Sequence, residues 1–115
     1  MSKNKTIDDF LRDFSVVIIS GASSGIGRAI LSRIEHSGTK AAVFNLSRTI
    51  PQGVANTLNF THLSCDLSQP SALTAVVARL RELMPREGRI LLVNNSGFGA
   101  YGEFPAPGLG HTLRM

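Results

Sequence analysis

From residue 15 the chain alternates between short apolar runs and longer stretches whose apolar residues return every three or four positions. An uninterrupted apolar run reads as a strand buried on both faces, and the three-to-four spacing reads as a helix with one buried face. Ser15–Ser20, centred on Val16-Val17-Ile18-Ile19, is the first strand. Gly21–Gly27 is a glycine-rich turn. Ile26–Ser37 is a helix with Ile26, Ala29, Ile30 and Ile34 on one face, and Gly38 stops it. Lys40–Leu46 is a second strand, Ser47–Asn56 a loop broken by Pro51 and Gly53, and Thr57–Cys65 a third strand. Ser68-Gln69-Pro70 opens another helix with proline in its first turn. Leu73, Val76, Val77, Leu80 and Met84 form its stripe, and Pro85 and Gly88 end it. Arg89–Val93 is a fourth strand. Beyond Asn94 the chain turns to Gly and Pro and predicts no further strand or helix.

Ahead of this region, residues 1–5 are polar and expected to fray. Thr6-Ile7-Asp8-Asp9 has the form of a helix start, with Thr6 as the cap and acids in the first turn. Ile7, Phe10, Leu11 and Phe14 share one face of that helix and are expected to pack on the sheet edge. A partner interface is the alternative. A membrane-surface role fits less well, because the polar face carries Asp8, Asp9, Arg12 and Asp13.

Alternating strands and helices predict a parallel sheet with helices on its faces. The link between the second and third strands is short for a parallel crossover. A single helical turn near Val54–Asn56 is expected to complete it.

Composition narrows the classes. The chain is 43% hydrophobic and 17% charged, a balance that suits a packed domain. No apolar run is long enough to span a bilayer, and Asp8 and Asp9 stand where a secretory leader would be apolar. The single cysteine, Cys65, excludes an internal disulfide and points to a reducing, cytoplasmic setting. A net charge of +4 raises the question of nucleic acid. Arg12, Arg28, Arg33, Lys40 and Arg48 are scattered, and Arg79, Arg81, Arg86 and Arg89 gather around a predicted helix end. Cations there complement the helix dipole, so no nucleic-acid partner is expected.

The strongest chemical signal is Ser20-Gly21-Ala22-Ser23-Ser24-Gly25-Ile26-Gly27, lying between a strand and a helix. Gly21 permits a tight exit from the strand. Gly25 lets backbone amides approach a pyrophosphate, and Gly27 lets the helix pack close to the strand. The free N–H groups of the following helix attract phosphate, and Ser23 and Ser24 add hydroxyl donors. A tight turn that binds nothing is the competing reading. The spacing is not that of a P-loop, since no Gly-Lys-Ser/Thr follows.

Three further signals lie at suitable distances. Leu46-Ser47-Arg48 ends the second strand without an acid for a ribose 2′-hydroxyl. Arg48 suits a 2′-phosphate instead, or is simply solvated. Asp66, in Cys65-Asp66-Leu67, suits an adenine amino group, or caps the next helix. Asn94-Asn95-Ser96-Gly97 ends the fourth strand, at the junction where open α/β sheets bind ligands.

Together these residues resemble the short-chain dehydrogenase/reductase family, classical type. That family carries a T-G-x-x-x-G-I-G turn, a later D-L or D-V pair and an N-N-A-G segment. The resemblance spans about residues 15–100 and implies a Rossmann-type α/β fold with strand order 3-2-1-4. It divides the chain into a helical extension over 1–14 and a dinucleotide-binding domain over 15–115. It places Gly21, Ser23, Ser24, Gly25, Ile26, Gly27, Arg48, Asp66, Leu67, Asn94, Ser96 and Gly97 around the cofactor, with Asn94 also bracing the sheet. Ser47-Arg48 looks like the pattern of NADP-preferring members, with NAD the lesser fit. The implied reaction is hydride transfer to or from an alcohol or carbonyl substrate.

The departures are Ser20 for threonine, Ser96 for alanine, the leading helix, and the far end of the chain. The family's catalytic serine and Tyr-x-x-x-Lys are not found. Tyr101 is the one tyrosine, and Pro105 stands four residues after it. His36, His62 and His111 are separate and are expected at the surface or in the core, and no metal-ligand cluster is visible. The expectation is therefore an N-terminal portion truncated after strand four, which holds the cofactor and is inactive alone. Its apolar fourth strand is exposed for pairing or self-association. The alternative is a short non-catalytic nucleotide binder that pairs with a full-length relative. A methyltransferase-like adenosine binder is disfavoured by Ser47-Arg48, where that class also wants an acid.

Overall fold

The apolar runs become the strands of one parallel sheet, described for residues 5–95 by a computed structural model. The elements are α1 (Ile7–Arg12), β1 (Val16–Ser20), α2 (Gly25–His36), β2 (Ala42–Ser47), β3 (Phe60–Ser64), α3 (Pro70–Leu83) and β4 (Ile90–Val93). The strand order is β3-β2-β1-β4, as the resemblance implied. Val17 pairs with Val43 on one side and Leu91 on the other, so β1 is central. Ser96 and Gly97 lie outside the described residues.

Alternate residues of each strand point to opposite faces and build two cores. Val17, Ile19 and Val43 meet Leu31 and Ile34 of α2, together with Leu11 and Leu58. Val16, Phe44 and Leu46 meet Val76 and Leu80 of α3, together with Cys65. Helices thus cover both faces, which explains why β1 shows no polar alternation.

Several boundaries and faces differ from expectation. The helix after the turn starts at Gly25, one residue early, and Ser37 is its C-cap. Its buried face is Gly27, Leu31 and Ile34, whereas Ile26 is 74% exposed. The glycine turn directs the first helical turn toward the open end of the sheet, which leaves Ile26 exposed among the described residues. In α3, Leu73 and Val77 are exposed and only Val76 and Leu80 are buried. Around its end only Arg81 lies in the last turn. Arg79 pairs with Glu82 at 2.8 Å, and Arg89 lies over the Phe14 ring.

The extension α1 is held at the C-terminal end of α2, where Arg12 donates to the Ser37 carbonyl at 2.7 Å, and Leu11 enters the core beside Val17 and Ile19. Asp8 and Arg33 form an ion pair at 2.8 Å whose geometry falls short of a hydrogen bond. Thr6 and Asp9 form a reciprocal capping box that starts α1.

The β2–β3 connection contains a turn closed by Leu58 N–H on the Ala55 carbonyl (3.1 Å), not a helical turn at Val54–Asn56. Two α2 side chains hold it. Arg28 donates to the Gln52 and Gly53 carbonyls, and Glu35 accepts from Ala55 N–H at 2.6 Å. Arg28 is therefore turned toward this loop. No helix among the described residues is long and apolar enough to cross a membrane.

Candidate functional site

The site forms at the C-terminal ends of β1, β2 and β4, where the glycine turn leaves the sheet. Gly21 and Gly25 have φ of 75° and 59°, a region that L side chains avoid. A Cβ on Gly25 would meet nothing within 4 Å, so the space above it is open. Gly27 is the reverse case. A Cβ there would stand 2.0 Å from the Gly21 carbonyl oxygen and 2.5 Å from Asn95 Nδ2. One glycine keeps a cradle open, while the other lets α2 press against the strand.

Ser24 is the N-cap of α2 but makes no side-chain capping bond. The first amides of α2 thus have no capping hydroxyl and lie beside the open space over Gly25. A helix start in this state, with its positive dipole end, suits an anionic group. Ser23 is half-buried, and Ser24 and Ile26 are exposed on the turn.

The turn is tied to three strands. Gly21 N–H donates to the Leu46 carbonyl at 3.0 Å, which continues the β1–β2 ladder by one residue. Ala22 N–H donates to Asn45 Oδ1 of β2 at 2.9 Å. After β4, Asn95 N–H donates to Ser20 Oγ at 3.0 Å and Asn95 Nδ2 donates to the Gly21 carbonyl at 3.2 Å. Among the described residues it is Asn95 that braces the turn, while Asn94 is exposed. Alternation along the chain turns the two side chains to opposite sides. Asn45 and Asn95 are the residues that motif spacing did not single out. A polar residue inside an apolar strand was the available signal for Asn45.

Arg48 follows β2 and is exposed; among the described residues it forms no ion pair. Its neighbours are fixed, since Ser47 Oγ donates to the Thr49 carbonyl at 2.7 Å. Asp66 Oδ1 accepts from Ser68 N–H at 3.1 Å and from Ser68 Oγ at 2.7 Å, holding the turn after β3. The α3 cap is Gln69 with no side-chain bond, so Asp66 is not the helix cap. Leu67 packs against the α3-side core. Burial pushes the Cys65 thiol up from its ordinary value, and the neighbouring Asp66 charge adds to this. Burial also lowers His62 from its ordinary value. No group of three or more metal-ligating side chains occurs among the described residues.

The sequence matches the short chain dehydrogenase family over residues 15–107. It is 36% identical over 92 residues to the oxidoreductase TDA5 of Saccharomyces cerevisiae, covering 78% of this chain and 27% of that protein. It is 33% identical over 75 residues to the short chain dehydrogenase ausX of Emericella nidulans, covering 65% of this chain and 38% of that protein. Among solved structures, the ligand-free aldohexose dehydrogenase of Thermoplasma acidophilum is similar at a TM-score of 0.61 and 36% identity, covering 91% of this chain and 38% of that one. The chain thus spans well under half the length of these relatives. Strand order, glycine turn and sequence match agree, and the chain belongs to the short chain dehydrogenase family, whose members are oxidoreductases.

Proposed function

We propose that this chain is the NADP(H)-binding portion of an oxidoreductase acting on alcohols or carbonyls. The observation that carries the reading is the glycine turn. Gly25 leaves a backbone cradle open beside the uncapped start of α2, and Gly27 seats that helix on β1. These residues fit a pyrophosphate. Ser23 and Ser24 would add hydroxyl donors, and Ile26 would lie over the bound group. Arg48 would pair with a 2′-phosphate through a charge-assisted contact, and Asp66 with Leu67 would border the adenine. Asn94, with Ser96 and Gly97 beyond the described residues, would close the nicotinamide side.

The bound dinucleotide supplies the hydride donor or acceptor. What this chain contributes is binding and orientation: turn amides for the phosphates, Arg48 for the ribose phosphate, and Asn95 to hold β4 against the turn. General acid/base chemistry on the substrate is assigned to no residue here, because no Tyr-x-x-x-Lys occurs in the sequence. The chain by itself is expected to bind cofactor without turnover. The test is a fluorescence titration of the chain with NADPH and NADH. Saturable NADPH binding, tighter than NADH, supports the reading; no binding of either overturns it.

A further inference from the structure

Beneath the glycine turn the polar side chains of β2 and β3 form a continuous hydrogen-bond chain. Asn45 is fully buried, with a relative exposure of 0%. Its Oδ1 accepts from Ala22 N–H at 2.9 Å. A backbone amide can only donate, which fixes the amide orientation and turns Nδ2 toward the other partners. Nδ2 donates to Ser47 Oγ at 2.9 Å and lies 3.0 Å from His62 Nδ1. His62 Nδ1 must therefore accept, so the ring is neutral with its proton on Nε2. Ser47 Oγ in turn donates its O–H to the Thr49 carbonyl at 2.7 Å. One buried side chain thereby joins the turn's first residues, the segment around Arg48, and β3. A hydrophobic residue here would leave Ala22 N–H without its partner, and a serine would not span all three.

We propose that Asn45 is a positioning residue for the dinucleotide, coupling the glycine turn to the Arg48 segment, with His62 as its third anchor. The proposal rests on the NADP(H)-binding reading. It adds a proton sensitivity to that site. A protonated His62 presents Nδ1–H to Asn45 Nδ2–H, donor against donor. Either that contact opens, or the amide flips, gives Oδ1 to His62 and abandons Ala22 N–H. Both outcomes loosen the turn. Burial of His62 already favours the neutral ring. Other charges on this face are Arg28 and Glu35 of α2, which pair at 3.5 Å, and Arg48 in the loop. Arg33 pairs with Asp8 at the far end of α2, and His36 is exposed there. Neither β2 nor β3 carries another titratable side chain.

The experiment compares the full chain with His62→Asn and His62→Leu. Asparagine can place an acceptor where Nδ1 stands and does not titrate; leucine offers none. The readouts are NADPH affinity from pH 7.5 to 5.5 and the Ala22 amide resonance over the same range. The wild-type Kd is expected to rise about three- to tenfold on acidification, the equivalent of one hydrogen bond. The Ala22 resonance should move with it. His62→Asn should rescue affinity, flatten the Ala22 profile and leave only the pH dependence of the ligand's own 2′-phosphate, and His62→Leu should bind weakly at every pH. A wild-type chain that binds NADPH with pH-independent affinity and a stationary Ala22 resonance overturns the Asn45 proposal alone. So does His62→Leu binding as wild type. A wild-type chain that binds no NADPH at any pH overturns the reading beneath it.

Discussion

The Asn95 side chain donates to the Gly21 carbonyl at 3.2 Å, joining the end of β4 to the first residue of the glycine turn. The same Nδ2 stands 2.5 Å from where a Cβ on Gly27 would be. Helix, turn and two strands therefore meet within one side chain's reach, and the fourth strand takes part in shaping the glycine turn.

Gly27→Ala should be among the most damaging single-methyl changes in the chain. The nearest obstacles are backbone atoms of Gly21, which cannot swing aside. A cost of about 2–3 kcal/mol is expected, at the upper end for overpacking, and the urea midpoint would report it. Gly25→Ala meets no atom and costs only its left-handed backbone, about 1 kcal/mol. Equal losses for the two would contradict the assignment of packing to one and openness to the other.

Arg48→Ala tests the 2′-phosphate contact. The expected outcome is a loss of NADPH affinity of about tenfold or more, with NADH little changed. Parallel loss for both nucleotides would mean that Arg48 acts on the shared part of the cofactor or on the fold. The unliganded melting temperature should not move, since the side chain is exposed.

His62 should also leave a mark on stability. Its folded pKa lies below the ordinary 6.5, so the unfolded chain takes up the proton first on acidification. The stabilisation is complete above pH 6.5 and is lost as pH falls from there through the folded value. Urea midpoints at pH 7.5 and 5.5, compared with His62→Asn, isolate this contribution from His36 and His111.

Cys65 behaves in the opposite sense. Its thiol is buried and its pKa raised above the ordinary 9.0, so the unfolded chain ionises first in base and stability falls as pH rises past that value. At pH 8 the folded chain should react with iodoacetamide at least about tenfold more slowly than in urea. Fast labelling of the native state would show that the α3-side core opens readily.

Ile90 and Leu92 of β4 are 50% and 65% exposed among the described residues. Leu92→Lys is therefore expected to leave the stability within about 0.5 kcal/mol of wild type while reducing self-association. Light scattering against concentration checks it. A large loss of stability would place Leu92 under a cover formed by the rest of the chain.

The fold was legible because its signals are local. Val16-Val17-Ile18-Ile19 can be buried only if both faces of β1 are covered, and a glycine turn before a helix leaves little choice of connection. The glycine turn was legible for the same reason. What escaped the sequence depends on contacts across strands. Asn45 and His62 are Cα partners in neighbouring strands, and no spacing along the chain brings 45 and 62 together. Ile26 fits the helical period yet faces outward, because the turn, not the period, aims the first helical turn. Among the described residues Asn95 braces the turn, since a motif names a pair of residues and only the fold selects the one that faces inward.

Strand order carries a consequence for synthesis. β1 is made first but sits between β2 and β4, and its β4 side is filled only after residue 93 has emerged. At about 5–20 residues per second, the nascent chain spends several seconds with its central strand half-seated. A growing polypeptide in that state is a natural client for ribosome-associated chaperones, and its yield in a cell should depend on their supply.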